Sequence, residues 1–504
     1  MNTTFTRCLL FTVTFLLCPD VSWCRPQKSV IDVGTRSQLF LDRELVYEAD
    51  GVSFTMHPAD KSAANPVLIA DQPCEGGKVN QGGTVMFDAD EKIFKMWYLG
   101  SPSEYFDRIV TFYATSKDGI HWDKSHPGTI KSNNGHPHNA VADGIGPCVM
   151  KDLREKDATR RYKMVYYDVD LGYCSMVSPD GIHWQGVSET ILPISYVDDV
   201  ITACWSESHQ VFLVFAKQVM PVMGRRRRAL WTATSHDFTH WSRAVPALVS
   251  DRRDDLGSRI RAAKVRPLLN FPDNTNVMRT EFYGASGYSA ESCLVAFPWV
   301  FTPTANVPGN QEGPMEVQLA VSRDLVHFDR PFRTPAIENG EPGTWDAGMV
   351  SSYCYAFDYQ DQVWLYYWAT GVTHGFPGPA EGADPGQIKS EGGIGLARWP
   401  KDRFVSADGP AGGATLTTMP IRFEGNRLEL NASVKPGGKI SVELLDMALN
   451  RLAAWPLSGP VTGDNLRHVV GFESQADLST LAGKPVVLRF HLANAELYAF
   501  AFRK

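Results

Sequence analysis

Five short segments of this sequence each place a carboxylate next to residues that are typical of a β-strand. The five carboxylates are Glu75, Asp143, Asp199, Glu281 and Asp346. When two carboxyl groups are held close together, burial and mutual repulsion separate their pKa values, so that one holds a proton while the other is ionised. Hydrolysis of a glycosidic bond needs such a pair, with one group as general acid and the other as base or nucleophile. These segments therefore contain the first candidates for catalysis.

A repeated seven-residue motif indicates which elements position these carboxylates. The motif reads Ser-x-Asp-x-x-His-aromatic and begins at Ser116, Ser178, Ser235 and Ser322. Ser and Asp side chains accept backbone N–H groups in tight turns, and the aromatic side chain packs against a neighbouring sheet. Each copy follows an apolar, β-rich run, so each is predicted to be the turn between two outer strands of a four-stranded unit. A fifth unit, in residues 362–368 and 393–399, lacks the motif but keeps the strands.

Five such units over residues 32–410 predict a five-bladed β-propeller, and no helical periodicity of useful length competes with this interpretation. After residue 411 the pattern changes to short alternating strands between turns, which predicts a small C-terminal β-sandwich over residues 411–504. The predicted fold class is therefore all-β, a five-bladed β-propeller followed by a small C-terminal β-sandwich. The sandwich either buttresses the propeller or binds carbohydrate.

The propeller plan predicts where these residues meet. The innermost strand of each blade starts near the central axis, so side chains at these starts converge on one funnel. Asp199, Glu281 and Asp346, at three successive inner strands, are the predicted catalytic set, with Glu281 as general acid and Asp199 or Asp346 as base or nucleophile. The alternative for each carboxylate is that it caps a turn or pairs with an arginine such as Arg279. The predicted substrate-binding residues are Glu75, Asn80, His138, Asn139, Asp143, Tyr283 and Trp345.

The composition excludes several other classes of protein. The chain has 504 residues, of which 43% are apolar and 21% charged, as in ordinary globular proteins rather than disordered or fibrous ones. A net charge of −7 argues against a nucleic-acid partner, which needs a dominant positive field. The one basic run, residues 225–228, is predicted to be the solvated face of a hairpin. In the alternative, one of these arginines points inward and holds a carboxylate or a sulfate of an acidic glycan.

Residues 1–24 are predicted to be a secretory signal peptide. Arg7 supplies the positive start, residues 8–18 are apolar, and Ser22 and Cys24 are small residues before a cleavage site. The apolar stretch is too short for a bilayer and no other run is long enough, so no membrane span is predicted. The protein is expected to be secreted or periplasmic, with a retained N-terminal anchor as the alternative. Six cysteines follow without a C-x-x-C pair, so neither a disulfide framework nor a structural zinc site is predicted.

The five-unit plan, the Ser-x-Asp-Gly-x-x-Trp turns and the carboxylates at inner strands resemble the five-bladed propeller glycosidases of glycoside hydrolase families 32, 43 and 68. A closer likeness, to secreted bacterial proteins described as family-32-like, is carried by residues 33–42, 96–98, 343–348 and 497–500. The resemblance covers nearly all of the mature chain and implies hydrolysis of a poly- or oligosaccharide. Some family-43 relatives place a histidine near an axial calcium, and His374 falls at that place. No ligand cluster argues for calcium here, so it is left open, and no other cofactor is expected.

The sequence departs from the family pattern at all three acid motifs. On blade one, where invertase-like families have an aspartate, this chain has Asn80-Gln81 and an earlier Glu75. On blade two, Gly146 stands where the acid would fall, and on blade three Asp199 replaces a Glu-Cys-like motif. The usual three-acid assignment is therefore not transferred to this chain, and cleavage of fructan or sucrose is disfavoured.

Two functions remain open from the sequence. The leading hypothesis is a secreted glycoside hydrolase with a carbohydrate substrate as its partner. The second is a non-catalytic glycan-binding propeller protein, suggested by the missing family acids and the added C-terminal unit. A sialidase is disfavoured because the sialidase box has one more residue between Asp and Gly than residues 178–184 allow. The sugar, the linkage and the stereochemistry of the reaction do not follow from the sequence.

Overall fold

The computed structural model of the protein describes residues 30–188, 191–192, 198–377, 390–472 and 477–504. Within these ranges the chain is nearly all β-strand, with one α-helix, α1 (Arg252–Lys264), so the predicted all-β class is confirmed. Short 3-10 helices occur at Pro73–Glu75, Ala158–Arg160, Arg266–Leu268 and Ser479–Leu481. Across the described ranges no helix has the length and apolar character to cross a membrane. The predicted signal peptide, residues 1–24, lies outside the described residues.

The first five strands do not form a sheet of their own. They are β1 (Ile31–Gly34), β2 (Gln38–Leu39), β3 (Val46–Asp50), β4 (Ser53–Met56) and β5 (Asp60–Lys61). Each of them pairs with a strand from much later in the chain.

Three four-stranded antiparallel sheets follow, and in each of them the strands pair in sequence order. The first unit contains β6 (Asn80–Asp88), β7 (Ile93–Leu99), β8 (Val110–Ser116) and β9 (Ala140–Asp143). The second contains β10 (Ile145–Lys151), β11 (Tyr162–Asp168), β12 (Gly172–Ser178) and β13 (Gln185–Ser188). The third contains β14 (Ile201–Ser206), β15 (Val211–Val222), β16 (Arg225–Ser235) and β17 (Val245–Leu248).

The fourth and fifth units follow α1 and share one sheet, because Met315 pairs with Met349. The fourth unit contains β18 (Glu281–Ser289), β19 (Leu294–Phe301), the hairpin β20 (Ala305–Val307) and β21 (Asn310–Glu312), β22 (Met315–Val317) and β23 (Ala320–Ser322). The fifth contains β24 (Met349–Ser352), β25 (Phe357–Tyr359), β26 (Gln362–Thr370) and β27 (Gly393–Pro400), with β5 as its outer strand.

The first strands of the five units stand in ring order. Strand β6 contacts β10 and β24, β14 contacts β10 and β18, and β18 contacts β24. Beyond β24, residues 353–356 cross the centre of the ring, where the N–H of Cys354 donates to Gly83 (3.1 Å) and that of Ala356 to Gly287 (2.9 Å). Strand pairing among the described residues does not close the ring. The order in which these first strands contact one another is the order that a five-bladed propeller requires.

The repeated motif forms the predicted turn in all four copies. Its Asp accepts two backbone N–H groups at 2.7–2.9 Å and its Oδ2 lies 2.6–2.8 Å from the motif histidine. The fourth residue has a positive φ in every copy, even where it is Phe238 or Leu325. The first turn also joins the first unit to the fifth, since the Tyr366 hydroxyl donates to the Gly119 carbonyl at 2.7 Å.

The last strands build a second unit around the chain's longest strands. They are β28 (Val405–Gly409), β29 (Ala414–Thr418), β30 (Ile421–Phe423), β31 (Arg427–Leu445), β32 (Gly463–Val469) and β33 (Val487–Arg503). Strand β33 pairs with β2, β28, β29 and β31, while β3 pairs with β29, β4 with β28 and β1 with β30. One apolar core, including Phe40, Leu416 and Phe490, joins both ends of the chain. Strands β1 to β4 and β28, which fall within residues 32–410, are thus hydrogen-bonded to the C-terminal unit.

Helix α1 is an element that the sequence pattern does not predict. It begins with a capping box, in which Asp251 and Asp254 each accept the other's backbone N–H at 2.9 Å. Its large apolar residues, Leu256 and Ile260, are exposed, so the helix lacks the buried apolar stripe by which a helix is recognised in sequence. Ion pairs hold it instead, including Asp254 with Arg330 at 2.8 Å.

Candidate functional site

A cavity of about 210 Å³ lies at the starts of the inner strands, and we call it the axial cavity. All five units contribute to its lining, which includes Asn80, Gln81, Gly146, Asp199, Ile201, Tyr283, Trp299, Ser352 and Cys354. A Cβ atom on Gly146 would meet only the Ile201 carbonyl, at 4.0 Å, so there is open space beside this position. Polar and apolar surfaces therefore face each other in a small enclosed volume.

Asp199 is the carboxylate that lines the axial cavity. Its side chain is 51% exposed, whereas its ion-pair partner Lys217 is 1% exposed. The same ammonium group lies 3.3 Å from Asp198. Burial acts to raise the pKa of Asp199, but the charge of Lys217 outweighs it and holds that pKa below its ordinary value. Asp199 is therefore an ionised group with one side open to the cavity and its counter-ion buried behind it.

Lys217 keeps its charge in spite of its burial. Burial disfavours the ammonium group, but Tyr283, Asp199 and Asp198 together raise the pKa of Lys217 above its ordinary value. Its Nζ atom lies 3.7 Å from the centroid of the Tyr283 ring, which is a cation–π distance. Lys217 thus connects the two acids to the aromatic wall of the cavity.

Tyr283 is held in place from its other end by His374. The two side chains are 3.1 Å apart at the Tyr283 hydroxyl and His374 Nε2, and His374 Nδ1 lies 2.9 Å from the Gln311 carbonyl. Because a carbonyl oxygen only accepts, Nδ1 carries the proton, and Nε2 accepts from the tyrosine. Burial lowers the pKa of His374, which favours this neutral form. The ring of Tyr283 is therefore fixed at the cavity wall.

Glu281, the predicted general acid, is enclosed by arginines. Its Oε2 lies 2.6 Å from Arg228 Nη1, and its Oε1 lies 2.6 Å from Arg279 Nη2. Arg228 also donates to Gln311 Oε1 at 2.7 Å and lies 5.1 Å from the Tyr283 ring centroid. Both oxygens of Glu281 are thus engaged, and this residue is not part of the cavity lining.

Asp346 and Trp345 lie in the loop before β24, away from the axial cavity. Asp346 accepts from Lys61 Nζ at 2.6 Å and from Thr344 Oγ1 at 3.0 Å. Trp345 stacks on Tyr367, with ring centroids 5.8 Å apart and planes inclined by 23°. These contacts hold the loop against β5 and β26 in the outer part of the fifth unit.

Three of the predicted substrate-binding residues, Glu75, His138 and Asn139, make contacts within the first unit or at its edge. Glu75 is buried and accepts from the Tyr98 hydroxyl at 2.6 Å. Asn139, also buried, donates to that same hydroxyl at 3.1 Å. His138 packs edge-on against Phe106, with ring centroids 5.1 Å apart.

Asp143 lies at the surface, outside the axial cavity, whereas Asn80 lines this cavity. Asp143 is half exposed and pairs with Arg108 at 2.8 Å. Asn80 lines the axial cavity and donates to the Gly100 carbonyl at 2.7 Å. Of the ten predicted site residues, the structure therefore brings Asn80, Asp199 and Tyr283 together in one cavity.

The basic run at residues 225–228 is split between surface and interior. Met223 and Gly224, both with positive φ, form the two-residue turn between β15 and β16. The first two arginines are exposed as predicted, but the solvated-face prediction is wrong for Arg227 and Arg228. Arg227 is buried and binds both carboxylate oxygens of Asp255, at 2.6 and 2.9 Å. The inward-pointing alternative therefore applies to these two residues, with carboxylates of the chain itself as partners.

Lys217, the ion-pair partner of Asp199, is a residue that the sequence patterns did not single out. The available signal is a lysine directly after the apolar run at residues 211–216, on a strand that pairs Ala216 with Ile201 at the start of β14. The six cysteines within the described residues are all buried and form no disulfide. In the described part of the chain no group of three or more His, Cys, Asp or Glu side chains is placed to hold a metal ion.

Known structures resemble this chain at low sequence identity. One is described as a glycoside hydrolase (14% identity, TM-score 0.40, covering 71% of this chain and 92% of that one). Another is β-1,2-mannobiose phosphorylase from Listeria innocua (11% identity, TM-score 0.41, 68% and 97%). A third is an N-acetylgalactosamine deacetylase from F. plautii (14% identity, TM-score 0.40, 70% and 95%). No family model and no curated protein matches the chain. Likenesses at this level assign neither a family nor an activity, so the functional argument depends on the site residues.

Proposed function

We propose that this protein is a glycoside hydrolase that takes one sugar ring of a poly- or oligosaccharide into the axial cavity. The observation that carries the proposal is Asp199, a half-exposed carboxylate in the cavity lining whose counter-ion Lys217 is buried. Both oxygens of the buried Glu281 are bound by arginines, whereas Asp199 keeps part of its carboxylate at the surface of the axial cavity.

The lining of the axial cavity suits a sugar ring. Gln81 and Asp199 offer polar groups for hydroxyls, and Tyr283 and Trp299 offer aromatic surface for the apolar face of a ring. The volume of about 210 Å³ is below the range of roughly 300–1,000 Å³ that drug-sized ligands occupy, which favours a single ring.

Within this proposal Asp199 acts as base or nucleophile. It is ionised because Lys217 holds its pKa below the ordinary value. Asp198 shares that ammonium group and accepts the backbone N–H of Asp199 at 2.9 Å, so it helps to hold Lys217 and Asp199 in place. Glu281 and Asp346 become positioning residues, because their carboxylates are bound to Arg228, Arg279 and Lys61.

Replacing Asp199 by asparagine tests the proposal. We expect kcat to fall at least about 100-fold, since the variant loses the base or nucleophile while keeping the shape of the side chain. The measurement is reducing sugar released from a panel of plant and marine polysaccharides by the full-length protein. Asp143→Asn is the matched control, because Asp143 has a similar exposure (50%) and also pairs with a cation. Full activity of Asp199→Asn, or no release by the unmodified protein from any polysaccharide, would contradict hydrolysis at this site.

The second candidate is a non-catalytic glycan-binding protein. It is favoured by the ion pairs that engage Glu281 and Asp346, which leave fewer carboxylates for acid–base chemistry. This function predicts saturable binding heats with glycans and no released sugar in the same samples. The heats should decrease in Asp199→Asn and persist in Asp143→Asn.

The five units are proposed to be the blades of a five-bladed propeller of the family 32/43 type, supported by the ring order of their inner strands. The division into residues 32–410 and 411–504 is proposed in amended form, with β1 to β4 and β28 assigned to the C-terminal unit. Secretion or export to the periplasm stays a proposal based on residues 1–24, and is tested by locating the protein in fractionated cells.

A further inference from the structure

The axial cavity is aliphatic where the first three units line it. These units contribute five aliphatic residues to the lining: Leu99, Ile109, Ile145, Val200 and Ile201. The two aromatic residues of the lining come from the fourth unit. Ile109, Ile145 and Val200 keep part of their surface exposed, and each stands at or directly before the start of a strand. The first three units thus offer aliphatic surface to a ligand, and the fourth offers aromatic surface.

Two glycines leave room beside these aliphatic residues. A Cβ atom on Gly82 would lie 3.1 Å from Gly146 Cα and 3.8 Å from Leu99 Cδ1. Both glycines line the axial cavity, and neither fills it with a side chain. The space next to Leu99 is therefore left for a group of the ligand.

Polar side chains on the same part of the lining already have partners inside the protein. Asn80 Nδ2 donates to the Gly100 carbonyl at 2.7 Å and to Ser101 Oγ at 3.0 Å, which uses both of its amide hydrogens. Thr202 donates its hydroxyl to the Ala285 carbonyl. These two side chains therefore have no donor left for a sugar hydroxyl.

The hydroxyls of the fourth and fifth units are engaged as well. Ser352 Oγ accepts from Trp299 Nε1 at 2.6 Å and from Ser286 Oγ at 2.7 Å. The Tyr283 hydroxyl donates to His374 Nε2. In the described part of the chain, the side chains of this lining with the most hydrogen-bonding capacity left are therefore two others. They are the half-exposed Asp199 and Gln81, whose amide nitrogen contacts only a sulfur, at 3.6 Å.

This distribution favours a ring with fewer hydroxyls than a common hexose. A hydroxyl that is placed against aliphatic side chains loses its hydrogen bonds to water and gains no partner. A methyl group in the same place gains apolar contact instead. The lining therefore suits a sugar that carries a methyl group where common hexoses carry a hydroxymethyl group.

Sugars can present a methyl group from two sources, the C6 of a 6-deoxyhexose or an N-acetyl group. The N-acetyl group also brings an amide N–H and a carbonyl, which both need partners when they are buried. It also makes the ligand larger, whereas the cavity of about 210 Å³ favours a single ring. The 6-deoxyhexose is the source that the lining fits better.

We propose that the sugar ring bound in the axial cavity is a 6-deoxyhexose. Its methyl group contacts the aliphatic residues of the first three units, and its hydroxyls bind Gln81 and Asp199. This inference rests on the proposed function and deepens it, because it names the substrate class of the same site. The preferred substrate is then a poly- or oligosaccharide that contains 6-deoxyhexose units.

Binding of free monosaccharides to the full-length protein tests this inference. Each 6-deoxyhexose of the gluco, galacto and manno series, in D and L forms, is compared with the hexose of identical configuration, so that each pair differs in one hydroxyl. Dissociation constants are measured by ligand-observed NMR, and a free monosaccharide has no glycosidic bond to cleave. We expect at least one 6-deoxyhexose to bind at least about tenfold more tightly than its parent hexose, because a hydrophobic pocket discriminates single methylene or hydroxyl groups by about 10- to 200-fold.

Two variants locate the methyl contact. Val200→Thr keeps the shape of the side chain and puts a hydroxyl on the aliphatic side of the cavity, and Ile109→Thr does the same at a second position of the lining. We expect each of them to reduce the preference for the 6-deoxyhexose at least about threefold. Val245→Thr is the matched control, because this half-buried valine of the third unit lies outside the lining and its replacement should keep the full preference.

The outcomes separate this inference from the proposed function. Equal or weaker binding of every 6-deoxyhexose relative to its parent, or no binding by any of them, overturns the inference. Tighter binding of an N-acetylhexosamine than of all 6-deoxyhexoses overturns the choice of methyl source, and an unchanged preference in both lining variants overturns the aliphatic contact. Sugar release that needs Asp199 without any 6-deoxyhexose preference leaves the proposed function standing alone. A 6-deoxyhexose preference without sugar release leaves the ligand class standing without hydrolysis.

Discussion

Replacing Glu281 by glutamine is expected to lower the free energy of unfolding by about 3–5 kcal/mol, because it removes one member of a buried ionic network. Arg228 and Arg279 both lie 2.6 Å from this carboxylate. Without its charge the two guanidinium groups face each other with their desolvation uncompensated. Urea denaturation of the full-length protein and of Glu281→Gln, fitted with a common slope, measures the difference.

The control for this prediction is an exposed ion pair. Asp361 pairs with Arg467 at 2.7 Å, and both side chains are more than half exposed. Asp361→Asn should cost at most about 1 kcal/mol, as is usual for surface salt bridges. The comparison also separates two roles for Glu281. A general acid would leave the stability of Glu281→Gln near that of the unmodified protein and remove activity alone, and that result would contradict the positioning role.

Replacing Asp402 by asparagine is expected to stabilise the protein at neutral and alkaline pH. Asp402 is buried at the junction of the two units, where it accepts from Ser37 Oγ at 2.9 Å. Burial raises its pKa from 3.8 to about 6, an effect that Lys401 and Ser37 only partly oppose. Its φ of 62° is one that asparagine also adopts, so the substitution adds no backbone strain.

The direction of the pH effect follows from the raised pKa of the folded state. Below pH 3.8 Asp402 is protonated in both the folded and the unfolded chain, and its ionisation costs nothing. Between pH 3.8 and about 6 the unfolded chain ionises this group while the folded chain keeps it protonated, so stability falls with rising pH over this interval and levels off above pH 6. The loss at pH 8 is on the order of 2–3 kcal/mol, which Asp402→Asn should recover.

Denaturation of Asp402→Asn and the unmodified protein at pH 4, 6 and 8 measures this effect. We expect the two curves to lie close together at pH 4 and to be separated at pH 6 and pH 8, by nearly the same amount at both. Glu291→Gln provides a control of opposite sign at the same junction, because Arg503 holds the pKa of Glu291 below its ordinary value against the effect of burial. That variant should be less stable than the unmodified protein above the ordinary pKa of glutamate. Equal stability of Asp402→Asn and the unmodified protein at pH 8 would show that the buried carboxylate does not destabilise the folded state.

The positions of three site residues could be predicted from the sequence because they depend on local order. Asn80, Asp199 and Tyr283 lie at or beside the starts of inner strands, and these starts converge wherever four-stranded units surround one axis. The side-chain partners could not be predicted in the same way. Glu281 and Asp346 stand at similar places along the chain, yet distant residues engage them. Lys61, which binds Asp346, is 285 positions away from it in the chain.

A cavity of about 390 Å³ between α1 and the fourth unit shows the same limit more strongly. Its two buried charges come from α1 and β22, and α1 has no apolar stripe that would predict a helix. Arg261 and Glu316 are also ordinary residues in their local sequence. Their shared surroundings arise only when the helix packs against the fourth unit.

The sequence by itself determined the all-β class and the four repeated turns, because the hydrogen bonds of each turn lie within seven neighbouring residues. Only the tertiary structure decided which carboxylates remain open to a ligand, since that depends on which cations fold against them. It also decided that strands β1 to β4 hydrogen-bond to strands at the opposite end of the chain, since each of them pairs with β28, β29, β30 or β33. Hydrogen bonds between neighbouring residues determine the turns. Whether a carboxylate at a site stays open to a ligand depends on ion pairs between residues that are distant in sequence.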